Sequence, residues 1–256
     1  MVDLVSALVW LLKIYAISSV LFYLGVVYLR SGWKTVDFLE KGSLKAVIVT
    51  AHPDDECMFF TPTLLHLVQR GHCVHLVCLS TGNYYSQGAV RTRELFKSCG
   101  LLGIPPEKVK IVDNRALPDH PEIKWKEEDI EQELGPLLAS IKPDLIITFD
   151  EGGVSGHINH RALLPGIRKL LRGGRKAFEN TKLYSLQTTG TVRGLLSVLD
   201  VPYSWWSCDT VIVSPPGGVV KAWRAMAAHY SQLMWFRVLF SMFTRYNLVN
   251  TLDVVH

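Results

Sequence analysis

The sequence lacks the motifs of several common protein classes. No Gly-x-Gly-x-x-Gly follows its first predicted strand, which excludes the usual dinucleotide-binding loop, and no Walker-type phosphate loop occurs. Internal repeats and low-complexity tracts are also absent. The formal net charge is only +4, which does not indicate a nucleic-acid partner. We therefore expect neither a dinucleotide cofactor nor a nucleic-acid ligand.

Cysteine is scarce as well, with five residues: Cys57, Cys73, Cys78, Cys99 and Cys208. Their odd number, and the apolar patterns in which several of them lie, favour reduced core thiols over a disulfide framework. Cys57 follows a cluster of candidate metal-binding residues, but packing is the more common role for such a buried thiol. Acceptor sites of the form Asn-x-Ser/Thr are absent. These features are typical of a domain in the cytosol.

One long apolar stretch is present near the N-terminus. From Leu4 to Leu29 the only charged side chain is Lys13, and a bilayer-crossing helix needs about 20 mostly apolar residues. Neither the acidic start nor the bulky end of this stretch resembles a cleaved signal peptide, and a buried soluble helix would need a partner layer. We expect a single-pass membrane anchor in residues 1–30 and a catalytic domain in residues 31–256.

The charges beside this stretch predict its orientation. Four basic residues follow it, Arg30, Lys34, Lys41 and Lys45, whereas none precedes it. Because positively charged flanks stay on the cytoplasmic side of a membrane, the catalytic domain is predicted to face the cytosol.

The rest of the chain alternates short β-branched runs with helical patterns. Strands are predicted at residues 45–50, 73–79, 108–112 and 144–149, and helices at 58–70, 88–102, 129–141 and 161–171. This alternation predicts an α/β fold, a Rossmann-like and mostly parallel sheet with helices on both faces, preceded by the N-terminal transmembrane helix. Residues 190–202 have the weakest pattern, and we expect a variable region there that faces substrate or membrane.

Two histidine-containing segments each follow a predicted buried strand. They are His52-Pro53-Asp54-Asp55-Glu56 and His157-Ile158-Asn159-His160. In open α/β sheets, ligands bind beyond the carboxyl ends of strands, so the two segments are expected to share one crevice.

The residue types in these segments are those of a hydrolytic metal site. His52, Asp55 and His160 are candidate ligands of a divalent metal, because a catalytic zinc site uses three such ligands and leaves a position open. Asp54 is a candidate general base toward the attacking water, and His157 is left to act on the substrate.

Other interpretations of this polar cluster exist. A lone histidine is more often structural, but several carboxylates beside one another at a strand end are costly to bury without a cation. Clustered aspartates also hold magnesium in phosphoester hydrolases, whereas two histidine ligands favour zinc-type amide chemistry. A membrane-tethered lipid-binding scaffold without turnover is the non-enzymatic alternative. Glu56 either orients a ligand or caps the helix that follows.

The same segments resemble the signatures of a known family. Residues 51–56 resemble the AHPDDE signature of the LmbE-like de-N-acetylases, metal-dependent enzymes that remove acetyl groups from N-acetylglucosamine attached to larger molecules. Residues 155–160 resemble the second metal motif of that family, 91–94 its Arg-x-x-Glu-type helix start, and 229–232 its late His-x-Ser-Gln element. The resemblance covers roughly residues 43–235.

This resemblance implies roles for individual residues. His52, Asp55 and His160 would bind the metal, with Zn²⁺ as the expected ion. Asp54 would be the general base, and His157 would stabilise the tetrahedral oxyanion or protonate the leaving amine.

Substrate contacts are indicated less sharply. Arg91 and Arg93 are candidates because guanidinium groups suit phosphate, and Asn83 and His229 are candidates from their segments. Ser155 stands where a soluble relative has a tyrosine that assists the oxyanion. The membrane segment favours a family member that acts on a lipid-linked sugar, and the resemblance implies the endoplasmic reticulum membrane.

A second membrane contact is suggested by residues 233–245. Aromatic residues are dense there and arginines lie between them, as in a helix at a membrane interface. A C-terminal helix packed on the domain fits the pattern equally well. In either case the segment is too short to span a bilayer.

Overall fold

The computed structural model describes residues 4–28, 33–34, 42–173 and 178–255. Within these residues the chain forms one mixed sheet flanked by helices. Arg30 and Lys41, whose charges predict the orientation, and the predicted domain boundary at residue 30 lie outside the described residues, as does the side chain of Lys34.

The described elements are as follows in chain order. The strands are β1 (Trp33–Lys34), β2 (Lys45–Thr50), β3 (Cys73–Cys78), β4 (Val109–Ile111), β5 (Leu145–Phe149), β6 (Lys182–Leu186), β7 (Thr210–Val213) and β8 (Val249–Val255). The helices are α1 (Leu4–Tyr28), α2 (Asp55–Met58), α3 (Thr61–Gln69), α4 (Gly88–Leu102), α5 (Glu127–Ile141), α6 (Gly153–Gly156), α7 (Ile158–Arg172), α8 (Thr191–Gly194), α9 (Val201–Ser207), α10 (Pro216–Ala228) and α11 (Trp235–Phe243). Short 3-10 turns cover Pro106–Lys108, Ser197–Asp200, Tyr230–Gln232 and Arg245–Asn247.

The strand order of the sheet is β1-β7-β8-β6-β5-β2-β3-β4. The strands β4, β3, β2, β5 and β6 are parallel neighbours. The strand β8 runs antiparallel to both β6 and β7, and β1 runs antiparallel to β7. The predicted Rossmann-like, mostly parallel sheet is therefore confirmed, with an antiparallel extension at one side.

The chain reverses its direction of travel across the sheet between β2 and β5. It runs outward from β2 through β3 to β4 and then returns to β5 on the other side of β2. Right-handed crossovers therefore place α3 and α4 on one face, where they pack with α10, and α5 and α7 on the other. At such a reversal the loops beyond adjacent strands separate and leave a crevice at the carboxyl edge of the sheet.

The sequence predictions differ in accuracy along the chain. The strands β2 and β5 are buried on both faces and were recognisable because they consist almost wholly of apolar side chains. The prediction of one continuous helix at 58–70 is wrong. Met58 is the last residue of α2, and α3 begins at Thr61 with Pro62 in its first turn. The predicted variable region, residues 190–202, folds into α8, a 3-10 turn and the start of α9.

The helix α1 has the length of a membrane span. Its 25 residues reach about 37 Å, against about 30 Å of bilayer hydrocarbon, and Val5–Tyr28 is apolar enough to cross. Most of its N-terminal part is exposed, whereas Tyr23 and Val26 are buried against the domain. The Tyr23 hydroxyl donates to the Ser214 carbonyl at 3.0 Å. These features indicate a membrane-associated protein.

The five cysteines all lie in the described residues, and each has a free thiol rather than a disulfide bond. Cys73 is half-buried and the other four are buried. Cys57 belongs to α2, and its thiol donates to the Asp54 carbonyl at 3.2 Å.

The contact between α5 and α7 is close enough to test by mutation. A Cβ on Gly166 of α7 would lie 2.7 Å from Cγ2 of the buried Ile130, so we expect Gly166→Ala to lower the free energy of unfolding by about 1–3 kcal/mol. Gly100→Ala in α4 is the matched control, because no atom lies within 4 Å of its Cβ position, and it should be neutral or slightly stabilising. Urea unfolding in detergent measures both, and equal losses would contradict the expectation.

Candidate active site

The two histidine segments converge at the carboxyl ends of β2 and β5. The first forms the turn after β2 and the start of α2, and the second leads from the loop after β5 into α7. Together they line a cleft of about 540 Å³ at the point where the strand order reverses. Its lining includes His52, Asp54, Asp55, Arg91, Asp119, His157, His160, Phe236 and Arg237.

Three donor atoms meet at the base of this cleft. His52 Nδ1 lies 3.3 Å from His160 Nε2, which in turn lies 3.1 Å from Asp55 Oδ1. Donors held tetrahedrally at about 2.0–2.2 Å from one zinc-type ion are about 3.3–3.6 Å apart, so the observed spacing is close to that of donors that share one cation. The three side chains are buried, and two ring nitrogens that face each other beside a carboxylate suit a borderline divalent metal.

Further contacts hold these donors in place. Asp55 Oδ2 accepts the backbone N–H groups of Ala51 and His52, each at 2.9 Å. His52 Nε2 lies 3.2 Å from Asp119 Oδ1, and His160 Nδ1 lies 3.1 Å from the Gly153 carbonyl. Burial opposes ionisation of Asp55, but the neighbouring His160 and His52 hold its pKa well below the usual range. The Asp55 carboxylate is therefore ionised. Backbone N–H groups fix the position of its Oδ2, and its Oδ1 faces His160.

His157 lies beside this group and offers a further ring. Its nitrogens lie within 4.8 Å of those of His52 and His160, so it is an alternative third ligand by distance alone. However, His157 Nδ1 accepts the Asn159 backbone N–H at 3.2 Å, so the neutral ring carries its proton on Nε2. Partial burial, with His52 and His160 nearby, lowers the pKa of His157 to about 4. At neutral pH this residue is therefore an uncharged N–H donor.

Asp54 stands next to the donor set in a strained backbone conformation. Its φ of 108° is unusual for a residue other than glycine, and its N–H donates to Glu56 Oε2 at 3.0 Å. Asp54 Oδ2 accepts a hydrogen bond from Arg237 and lies 3.4 Å from Arg91 Nη2. Burial raises the pKa of Asp54, and the two arginines offset part of the increase. A carboxylate with a raised pKa beside a cleft suits proton transfer.

Glu56 and His229 form a buried pair behind the cleft. His229 Nε2 lies 2.7 Å from Glu56 Oε1, and both side chains are fully buried. Burial opposes the charge on each group, but their pairing lowers the pKa of Glu56 and raises that of His229. Glu56 thus orients the backbone of Asp54, the predicted base, through the Asp54 N–H. His229, which the sequence analysis names as a candidate substrate contact, is fully buried and is not among the residues that line the cleft.

Arg91 connects the loops around the cleft. Its Nη1 donates to the Gly82 carbonyl at 3.0 Å and to Asp119 Oδ2 at 3.1 Å, and its Nη2 donates to the Pro53 carbonyl at 2.7 Å. At the cleft, the main role of Arg91 is therefore to connect the surrounding loops by hydrogen bonds.

The other predicted substrate-binding residues lie elsewhere. Arg93 is exposed on α4 and is not part of the cleft lining. Asn83 accepts the Gly88 N–H at 2.9 Å and lines a smaller neighbouring cavity. The geometry does not support a direct substrate contact for either residue.

The sequence analysis missed Asp119 and Arg237. Asp119 contacts both His52 and Arg91, and although burial opposes its ionisation, His52 above all lowers its pKa to about 2. Arg237 reaches Asp54 from far along the chain, so no local pattern reveals it. For Asp119 a signal existed, since the loop after β4 also begins at the carboxyl edge of the sheet.

Comparison with known proteins identifies the family to which the chain belongs. Residues 47–170 match the family model described as GlcNAc-PI de-N-acetylase. The chain is 41% identical over 238 residues to N-acetylglucosaminyl-phosphatidylinositol de-N-acetylase of Bos taurus, which covers 90% of this chain and 92% of the bovine protein. It is 32% identical over 241 residues to the probable N-acetylglucosaminyl-phosphatidylinositol de-N-acetylase of Dictyostelium discoideum, with 81% and 92% covered.

Among solved structures, the N,N'-diacetylchitobiose deacetylase from Pyrococcus horikoshii in complex with its inhibitor MPG superimposes with a TM-score of 0.61. Its sequence identity is 16%, with 86% of this chain and 89% of the other covered, so this likeness shows a shared fold. The similarity to the bovine protein extends over most of both sequences. The resemblance seen in the sequence motifs is thereby confirmed, and the chain belongs to the GlcNAc-PI de-N-acetylase (PIG-L) family of hydrolases.

Proposed function

We propose that the protein hydrolyses the N-acetyl group of N-acetylglucosaminyl-phosphatidylinositol. The products are glucosaminyl-phosphatidylinositol and acetate, and the reaction is the second step of glycosylphosphatidylinositol-anchor synthesis. The observation that carries this proposal is the convergence of His52, Asp55 and His160 beside Asp54 in an open cleft. The names of the bovine and Dictyostelium relatives support this substrate.

In this proposal His52, Asp55 and His160 hold a divalent cation, with Zn²⁺ as the expected ion. Such an ion supplies Lewis-acid chemistry, which polarises a carbonyl and lowers the pKa of water. The contacts of Asp55 Oδ2 with two backbone N–H groups and of His52 Nε2 with Asp119 keep the donor atoms oriented toward one point.

Asp54 moves the proton. It accepts a proton from the attacking water and passes it to the departing nitrogen when the C–N bond breaks, so the amine leaves neutral. The other product is acetic acid, which loses its proton to solvent and is released as acetate. Burial raises its pKa, which brings its basicity closer to neutral pH than that of an ordinary aspartate. Arg237 and Arg91 hold Oδ2 and so fix the carboxylate plane.

His157 stabilises the negative charge that develops on the acetyl oxygen. Its Nδ1 is occupied by the Asn159 N–H, so its Nε2–H is the donor available to the substrate. Of the two roles that the sequence left open, oxyanion stabilisation is favoured over protonation of the amine. A pKa of about 4 leaves too little imidazolium at neutral pH for the second role.

The cellular placement is part of the same proposal. The α1 helix would anchor residues 1–30 in the endoplasmic reticulum membrane, and residues 31–256 would form the catalytic domain on the cytosolic side. The basic residues that follow the span and the cysteines without disulfide bonds support that side.

The first test is acetate release from N-acetylglucosaminyl-phosphatidylinositol by the full-length protein in detergent. We expect release that chelation abolishes and added zinc restores. Absence of release from folded, zinc-loaded protein would contradict the proposal. Activity only on other lipid-linked N-acetyl sugars would redirect it to another substrate, and inactivity on all of them would favour the lipid-binding scaffold.

Substitution of two adjacent carboxylates should separate proton transfer from metal binding. We expect Asp54→Asn to lower kcat by at least about 100-fold while zinc content stays near that of the wild type. Asp55→Asn, the matched control, should lose zinc as well as activity because it removes a ligand charge. Initial rates and zinc analysis measure both effects. Equal loss of zinc in the two variants would show that Asp54 is a ligand.

The neutral state of His157 also has a measurable consequence. His157→Ala should lower kcat by about 100- to 1,000-fold, and His157→Gln should recover part of this loss because its amide also donates an N–H. Because its pKa is about 4, His157 is already deprotonated between pH 5 and 8. The pH dependence of the rate in that range should therefore have the same shape in the wild type and in His157→Gln. A decline in that range that His157→Gln abolished would indicate an imidazolium acid instead.

A further inference from the structure

The outer side of α11 is apolar and exposed. Trp235, Val238, Leu239 and Met242 recur at the spacing of one helical face, and Trp235 is 74% and Met242 54% exposed. The other side of the helix lines the cleft, where Arg237 contacts Asp54. An exposed apolar stripe at the rim of a binding cleft marks an interaction surface rather than a packed helix.

The position of α11 relative to the sheet follows from the strand register. After α11 the chain makes one turn and enters β8 at Val249, which pairs with Val213 at the end of β7. The strands β7 and β6 both run antiparallel to β8, so this end of the pair is the carboxyl edge of the sheet. The helix α11 therefore lies at the edge where the cleft opens.

The helix α1 contacts the domain at the same edge. The Tyr15 hydroxyl donates to the Leu199 carbonyl at 2.8 Å, in the segment that follows β6. The Tyr23 hydroxyl donates to the carbonyl of Ser214, directly after β7 at the carboxyl edge. The candidate membrane span is thus attached to the domain at the edge where α11 lies.

A buried ion pair links the two helices. Arg245, in the turn after α11, is fully buried, and its Nε lies 2.9 Å from Asp200 Oδ2. Asp200 ends the 3-10 turn that packs against α1. The orientation of α11 relative to α1 is therefore held by a contact that is costly to break.

We propose that α11 lies in the surface of the bilayer that α1 crosses, so that the cleft opens toward the lipid headgroups. Continuity with α1 on one edge of the sheet selects a lipid surface over a second copy of the chain, and the stripe of tryptophan, aliphatic and methionine side chains matches the interfacial region. The inner side of the same helix carries Arg237, so membrane docking and the placement of Asp54 depend on one element.

The location of α11 is testable without any substrate. A nitroxide on Leu239→Cys in the full-length protein, reconstituted into phosphatidylcholine–phosphatidylinositol vesicles, should collide more with oxygen than with a water-soluble nickel complex. The same label on Leu101→Cys, an exposed position at the far end of α4, should show the reverse preference. Equal nickel access at both positions would overturn the proposal. So would spin–spin coupling between two Leu239→Cys labels, which would indicate a second copy.

A second experiment rests on the proposed function and measures delivery of substrate. Leu239→Glu should lower the hydrolysis rate of bilayer-embedded N-acetylglucosaminyl-phosphatidylinositol by at least tenfold, and change the rate on the water-soluble analogue without acyl chains by less than twofold. Leu101→Glu should leave both rates unchanged. Loss on both substrates would show a structural effect, and loss on neither would overturn the proposal. If the wild type hydrolyses neither substrate, the proposed function is wrong. The spin-label experiment still shows whether α11 lies in the bilayer surface, because it needs no substrate.

Discussion

The structure around the cleft depends on one carboxylate that connects two strand ends. Asp55 Oδ2 is held by the backbone after β2, and Oδ1 faces His160, which α7 carries from the loop after β5. The contact between Asp55 and His160 is buried at the point where the strand order reverses. It requires the two loops to approach closely and the charges of the groups in contact to balance. The close donor spacing follows from that requirement, and the strained φ of Asp54 and the buried Glu56 lie directly beside this contact in the chain.

The parts of the fold that could be predicted from sequence are those with local causes. The strands β2 and β5 are short apolar runs buried on both faces, and the histidine segments follow them directly. By contrast, β8 carries Asn250, Thr251 and Asp253 among its apolar residues, so it lacks a clear strand pattern. The break between α2 and α3 depends on Pro62, which lies in the first turn of α3. This position of Pro62 can be recognised only when it is already known that the preceding motif forms a turn.

The same distinction separates the site residues that were found from those that were missed. The metal-site candidates lie in two compact motifs, whereas Arg237 reaches Asp54 through a tertiary contact between distant segments. Such contacts leave no spacing to recognise in one sequence. Arg91 was identified, but its hydrogen bonds connect loops, a role that its charge alone did not indicate.

The strand order also constrains the sequence of events during synthesis. Strand β8 is made after the other seven described strands, yet it lies between β6 and β7. Until it emerges from the ribosome, the parallel half of the sheet ends in an unpaired edge at β6, and no strand pairs β7 with that half within the described sheet. The nascent domain therefore passes through a stage in which its open edge favours aggregation, with α1 already made and available to hold the chain at a membrane.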